Sequence, residues 1–193
     1  MTRVYPVFLL LDGAPVLVVG GGAVAAAKLD GLLTAGARPT VVAPAISAGC
    51  RRDGVTVVER PFCEEDLDGV RFVIAAATPE VNRAVAAAAA DRNLFVNAVD
   101  DLASASAFLG GVVRRGDVTV AISTGGTAPA LAGLLREALD AALPEELDAW
   151  VEIARAYRAR WKQSETPIAL RRAHLLDALV AARNAAAREG EPS

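Results

Sequence analysis

The first hundred residues alternate short apolar runs with longer amphipathic or alanine-rich stretches. Val16-Leu17-Val18-Val19 is a run of four apolar residues, three of them β-branched, and predicts a buried strand. Ala23 to Ala35 follows at helical spacing and stops at Gly36. Pro39 to Ala43, Val55 to Glu59, Phe72 to Ala77 and Leu94 to Val99 read as four further strands. Between the last two, Thr78-Pro79 opens a helix through about Arg92, with threonine as N-cap and proline at the first helical position. Repeated strand–helix–strand units predict an α/β fold of Rossmann type. Its parallel sheet would be covered by helices on both faces, with ligands at the carboxyl ends of the strands.

The pattern changes after Asp101. Ser104 to Leu109 and Val118 to Ser123 read as strands joined by only eight residues, too few for a crossover helix, which predicts an antiparallel or edge element. Ala128 to Leu143 is helical, with Thr127 or Ser123 as capping candidates. From Glu145 the chain is helical by composition, is broken near Ser164 to Pro167, and ends in a polar tail. These shifts divide the chain into residues 1–112, a nucleotide-binding domain, 113–144, a small strand-and-helix segment, and 145–193, a helical C-terminal part.

Composition narrows the function classes. Hydrophobic residues make up 53% of the 193, but alanine supplies much of that, and no apolar run approaches a membrane span. Asp12 interrupts the short apolar N-terminal run, so no signal peptide is expected. Cys50 and Cys63 lie outside any C-x-x-C spacing and His174 is the single histidine, which argues for a reducing cytoplasm and against a resident metal site. A net charge of −3 gives no reason to expect nucleic acid.

The turn after the first strand carries the clearest chemistry. Gly20, Gly22 and Ala25 satisfy G-x-G-x-x-A, the alanine-ended dinucleotide fingerprint, with a strand before and a helix after it. Glycine admits a pyrophosphate close to the backbone, and the helix start offers unpaired N–H groups and a positive dipole end. The acid expected to bind ribose some twenty residues on is missing, because the second strand ends Val42-Ala43-Pro44. Backbone groups around Pro44 and Ala45 remain to hold the ribose. Asp100 and Asp101 close the fifth strand at the mouth of the expected site. As neighbours they point to opposite faces, so one suits the crevice and the other a turn cap. Ser123-Thr124-Gly125-Gly126-Thr127 is a second strand–loop–helix junction, either an anion-binding loop or an ordinary helix start. Of the basic pairs, Arg51-Arg52 and Arg171-Arg172 read as solvated, and Arg114-Arg115 suits an acidic substrate.

Taken together, Gly-Gly-Gly-Ala-Val-Ala at 20–25 with Lys28, Asn97-Ala98-Val99-Asp100, and the run from Val120 through Ser123-Thr124-Gly125-Gly126 to Ala132 resemble the siroheme synthase N-terminal family. Tyr5-Pro6-Val7-Phe8-Leu9 also looks like that family's first strand. The resemblance implies NAD as cofactor and precorrin-2 dehydrogenase activity, the oxidation of precorrin-2 to sirohydrochlorin, with insertion of Fe²⁺ or Co²⁺ as an additional activity in some members. It implies Asp100 as the catalytic base and cofactor contacts at Gly20, Gly21, Gly22, Ala23, Val24, Pro44, Ala45, Thr78 and Asn97. The acetate and propionate groups of such a tetrapyrrole would suit Arg114, Arg115, Ser123, Thr124, Gly125 and Gly126. It further implies a homodimer, with residues 113–144 as the dimerisation segment. The same residues admit two alternatives, a chelatase without dehydrogenase activity and a non-catalytic module that senses the dinucleotide.

Overall fold

The computed structural model of the chain describes residues 4–189. It divides into two compact units, Met1–Leu109 and Gly110–Ser193.

In the first unit, β1 (Pro15–Val19), β2 (Arg38–Ala43), β3 (Thr56–Glu59), β4 (Phe72–Ala75) and β5 (Phe95–Ala98) form one parallel sheet in the order β3-β2-β1-β4-β5. β1 pairs with β2 through Val18 and Val41 and with β4 through Val18 and Ile74. The strand order reverses beside β1, so α1 (Ala23–Thr34) and α2 (Pro79–Asp91) leave their strands on either side of one crevice. The central strands are apolar on both faces because both are covered. Leu17, Val19, Val73 and Ala75 pack with Val85 and Ala89 of α2, while Val16, Val18, Val41 and Ile74 pack with Ala25, Leu29 and Leu32 of α1. Gly36 ends the first helical unit as expected, in the left-handed region at φ +71.

Two expected strands are corrected. No strand forms at Tyr5–Leu9: among the described residues no strand pairs with the segment, and Tyr5, Val7, Phe8 and Leu10 stand exposed. Nor does Ser104–Leu109 form one. There, the Ser106 and Ala107 N–H groups both donate to the Val96 carbonyl at 2.9 Å, and side chains supply the other bonds along β5: Ser106 Oγ accepts the Val96 N–H at 2.9 Å, and the Asn97 amide donates to the Ala107 carbonyl at 3.0 Å. The strand lies instead in the expected connector.

In the second unit, β6 (Gly111–Arg115) pairs antiparallel with β7 (Val118–Ile122) across the turn Gly116-Asp117, where Gly116 has φ +50. α3 (Pro129–Ala142) packs on β6, and α4 (Leu147–Gln163) packs against α5 (Ile168–Glu189) across the break expected at Ser164–Pro167. The N-cap of α3 is Ala128 rather than Ser123 or Thr127, and its N–H is met by the Thr124 hydroxyl at 3.2 Å. Val113 and Ala132 are the only buried hydrophobic residues among the described residues of this unit. Leu131, Leu134, Leu135 and Leu139 form an exposed stripe on α3. The polar tail at 190–193 lies outside the described residues.

Candidate functional site

The glycine turn is shaped by two contacts and one opening. Gly20 sits at φ +124, and a Cβ there would lie 2.2 Å from the Ala76 carbonyl oxygen. A Cβ on Gly21 would lie 2.1 Å from the Ala45 carbonyl oxygen. Both glycines are therefore required by the protein's own backbone. Gly22 differs: it is exposed, its φ of −87 is open to any residue, and a Cβ there would meet nothing within 4 Å. As N-cap of α1 it has no side chain to satisfy the first-turn amides, and Ala23 and Val24 behind it are exposed. Unpaired N–H groups around an open, side-chain-free position form a cradle that an anionic group fits.

The turn is braced from below. The Ser47 amide donates to the Gly21 carbonyl at 2.8 Å, and the buried Cys50 thiol lies 3.6 Å from the same oxygen. This bracing also holds Pro44 and Ala45, which are exposed after β2, next to the glycine turn. Nothing in the spacing of Cys50 along the chain signals this role.

A cleft of about 410 Å³ opens at the carboxyl ends of β1, β4 and β5. Val24 of the glycine turn, Ala76 and Ala77 after β4, Pro79 and Arg83 of α2, and Asp100 are among its lining residues. Asp100 and Asp101 both line this cleft, and they differ in what holds their carboxylates. Asp101 caps a turn: its carboxylate accepts the Ala103 and Ser104 N–H groups and the Ser104 hydroxyl, the last at 2.7 Å. The Ser104 bonds hold that carboxyl below the usual carboxylate range. Asp100 is exposed at the cleft with φ +57, a left-handed conformation that aspartate tolerates better than most residues.

Of the remaining expected residues, Thr78 is the exposed N-cap of α2 without a side-chain cap bond, and Asn97 is buried and bound to Ala107. Neither lines the cleft. Arg114 of the second unit is exposed, whereas Arg115 is paired with Asp140 at 3.1 Å. In the 123–127 loop the Ser123 hydroxyl accepts the Gly125 N–H and the Thr127 hydroxyl donates to the Thr124 carbonyl, with Gly125 and Gly126 at positive φ. Two polar cleft residues escaped the sequence reading, Arg83 and Asn82; Asn82, 3% exposed, looked like any polar position in an amphipathic helix. Among the described residues no cluster of three or more His, Cys, Asp or Glu is placed to hold a metal ion, and no helix is long and apolar enough to cross a membrane.

A parallel sheet with its order reversed at β1, a glycine turn opening onto a helix start, and a cleft at that reversal define a dinucleotide-binding α/β protein. The comparisons agree. The chain belongs to the family described as "Putative NAD(P)-binding", whose model matches residues 7–111, and residues 115–142 match the model described as "Sirohaem biosynthesis protein central". The resemblance to the siroheme synthase N-terminal family thus holds. Siroheme synthase 1 of Pectobacterium atrosepticum is 44% identical over 162 residues, covering 81% of this chain and 34% of that protein. Siroheme synthase of Mannheimia succiniciproducens is 38% identical over 173 residues, covering 87% and 36%. The chain spans about a third of the length of these curated relatives. Among solved structures, SirC, a precorrin-2 dehydrogenase, superposes with a TM-score of 0.70 at 28% identity, covering 90% of this chain and 88% of that one.

Proposed function

We propose that this chain is an NAD-dependent precorrin-2 dehydrogenase of siroheme biosynthesis. The observation that carries the reading is the cleft that brings Val24 of the glycine turn and the Asp100 carboxylate into one wall. The likeness to SirC over nearly the whole of both chains supports it.

The oxidation removes a hydride and a proton from the tetrapyrrole. NAD, when bound, supplies the hydride acceptor. In this reading the free amides at the start of α1 and the open position at Gly22 hold its pyrophosphate, and Pro44 and Ala45 border its adenosine ribose. Gly20, Gly21, Ala23 and Val24 complete that turn; a role for Thr78 and Asn97 near the reacting ring rests on the family resemblance, since neither lines the cleft. With no acid at the end of β2, ribose is held by backbone groups. Asp100 takes the proton. Its exposure at the cleft leaves the carboxylate reachable. Asp101 also lines the cleft, but its carboxylate is already engaged by its turn, so this reading gives the base role to Asp100. The exposed Arg114 and the Ser123–Gly126 loop offer donors suited to acetate and propionate groups, while Arg115 is already engaged by Asp140.

The proposed protein is a cytoplasmic homodimer. The exposed leucine stripe of α3 and the thin core of the second unit support self-association. Insertion of Fe²⁺ or Co²⁺ into the product, with the same carboxylate accepting pyrrole protons, is a further part of the reading. The test is anaerobic incubation with enzymatically made precorrin-2 and NAD, followed by addition of Fe²⁺. Stoichiometric NADH and sirohydrochlorin support the dehydrogenase, and accelerated metal uptake supports the chelatase. Metal uptake without NADH would overturn the first in favour of the second. Dinucleotide binding with neither activity would leave a sensor.

A further inference from the structure

Asn82 is the most deeply buried polar side chain of the cleft wall, and it spans the exits of two strands. Its Oδ1 accepts the Ala77 N–H at 2.9 Å, just past β4, and its Nδ2 faces the Val99 carbonyl at 3.4 Å, just past β5. The partners fix the orientation of the amide, since only oxygen can meet the N–H and only nitrogen the carbonyl. Its own backbone N–H donates to the Thr78 carbonyl at 2.8 Å in the first turn of α2. That helix is anchored through Val85, Ala88 and Ala89 in the core. One residue beyond Val99 the chain turns left-handed at Asp100. Such a conformation persists where neighbouring bonds hold it. The Val99 N–H is bound to Ala75 at 2.9 Å, so both backbone groups of the residue preceding Asp100 are tied down.

We propose that Asn82 is a positioning residue for Asp100: by bridging Ala77 and Val99 it locks the turn that presents the Asp100 carboxylate to the cleft. The inference rests on the assignment of Asp100 as the base. Both polar ends of Asn82 are directed at the protein's own backbone, so it acts through Asp100 rather than on substrate. An apolar residue would fill the same position without making the bridge, leaving the Ala77 N–H and the Val99 carbonyl unpaired and the turn free to move.

The test combines turnover with a readout that needs no substrate. Asn82→Ala removes both bonds. Asn82→Asp, nearly isosteric, keeps an acceptor for Ala77 and sets an oxygen against the Val99 carbonyl. Both variants should bind NAD with Kd within about threefold of wild type and lose about 10- to 100-fold in kcat, the scale of a misplaced catalytic group. In an Asp100→Asn background, Asn82→Ala should cost less than about threefold, because the group it positions is already disabled. Carbon chemical shifts of Asp100 in the free protein, which report its left-handed backbone, should move in both variants. Unchanged Asp100 shifts, wild-type kcat, or an equal penalty in the Asp100→Asn background would overturn the proposal. If neither variant folds, Asn82 is structural and the proposal falls. If wild type itself does not oxidise precorrin-2, the functional reading fails, and the Asp100 shifts still decide the positioning.

Discussion

Substituting alanine at Gly20 and at Gly22 separates what the glycine turn does for the fold from what it does for the ligand. At Gly20 the added methyl would stand 2.2 Å from a backbone oxygen of Ala76, at φ +124. Backbone strain of about 1–2 kcal/mol and overpacking of about 1–3 kcal/mol together give roughly 2–5 kcal/mol. That is a large share of a typical domain's 5–15 kcal/mol, so Gly20→Ala should unfold many degrees early or fail to accumulate. At Gly22 the methyl meets no protein atom within 4 Å and the backbone is unstrained. The cost to the fold is the difference between glycine and alanine as an N-cap, about 0.5–1 kcal/mol, which lowers Tm by a few degrees. The methyl does enter the space through which a pyrophosphate reaches the first-turn amides. NAD binding should weaken by about 10- to 100-fold, or about 1.4–2.7 kcal/mol. Urea unfolding and calorimetric titration with NAD read the two effects separately. Wild-type affinity in a folded Gly22→Ala protein would refute the placement of the pyrophosphate at this turn. Wild-type stability in Gly20→Ala would refute the packing argument.

Three further outcomes are expected. Leu134→Glu on the exposed stripe of α3 should shift the proposed homodimer to monomer in sedimentation equilibrium, and an unchanged mass would rule that stripe out as the proposed interface. Asp66→Asn should destabilise the protein by about 1–3 kcal/mol in urea unfolding at neutral pH. Asp66 holds the Arg60 guanidinium at 2.5 Å and accepts the Cys63 N–H at 3.0 Å. The same pair gives stability a pH dependence. The Arg60 bond lowers the folded carboxyl below its value in the unfolded chain, 3.8, so its contribution is complete above that pH and fades as pH falls through the lower folded value. Asp66→Asn should therefore flatten the acid limb of the stability curve, and an unaltered limb would show that other carboxylates set it.

The parallel sheet was legible because its strands are covered on both faces, which writes them as continuous apolar runs between glycine and proline punctuation. The glycine turn was legible because close backbone approach at Gly20 and Gly21 and an open helix start at Gly22 write small residues at fixed spacing. Ser104–Leu109 misled because its alternating small residues imitate a strand, while Ser106 and Asn97 satisfy the backbone through side chains. β6 was hidden by two glycines at its start, although Gly116-Asp117 between two valine-rich runs is a hairpin signal. Asp100 and Asp101 were legible as candidates at the end of β5, but that Ser104 engages the Asp101 carboxylate was not. Asn82 was invisible because its partners are backbone groups more than one element apart.

The most direct test is a single-turnover comparison of wild type and Asp100→Asn, anaerobically, with saturating NAD and precorrin-2. Asparagine keeps the shape and tolerates the left-handed turn, so fold and NAD affinity should be retained. Wild type should form one equivalent each of NADH and sirohydrochlorin, and Asp100→Asn should form them about 100- to 10,000-fold more slowly. An Asp100→Asn protein that turns over at the wild-type rate would contradict the assignment of the base, and a wild type that binds NAD but forms no NADH would contradict the dehydrogenase itself.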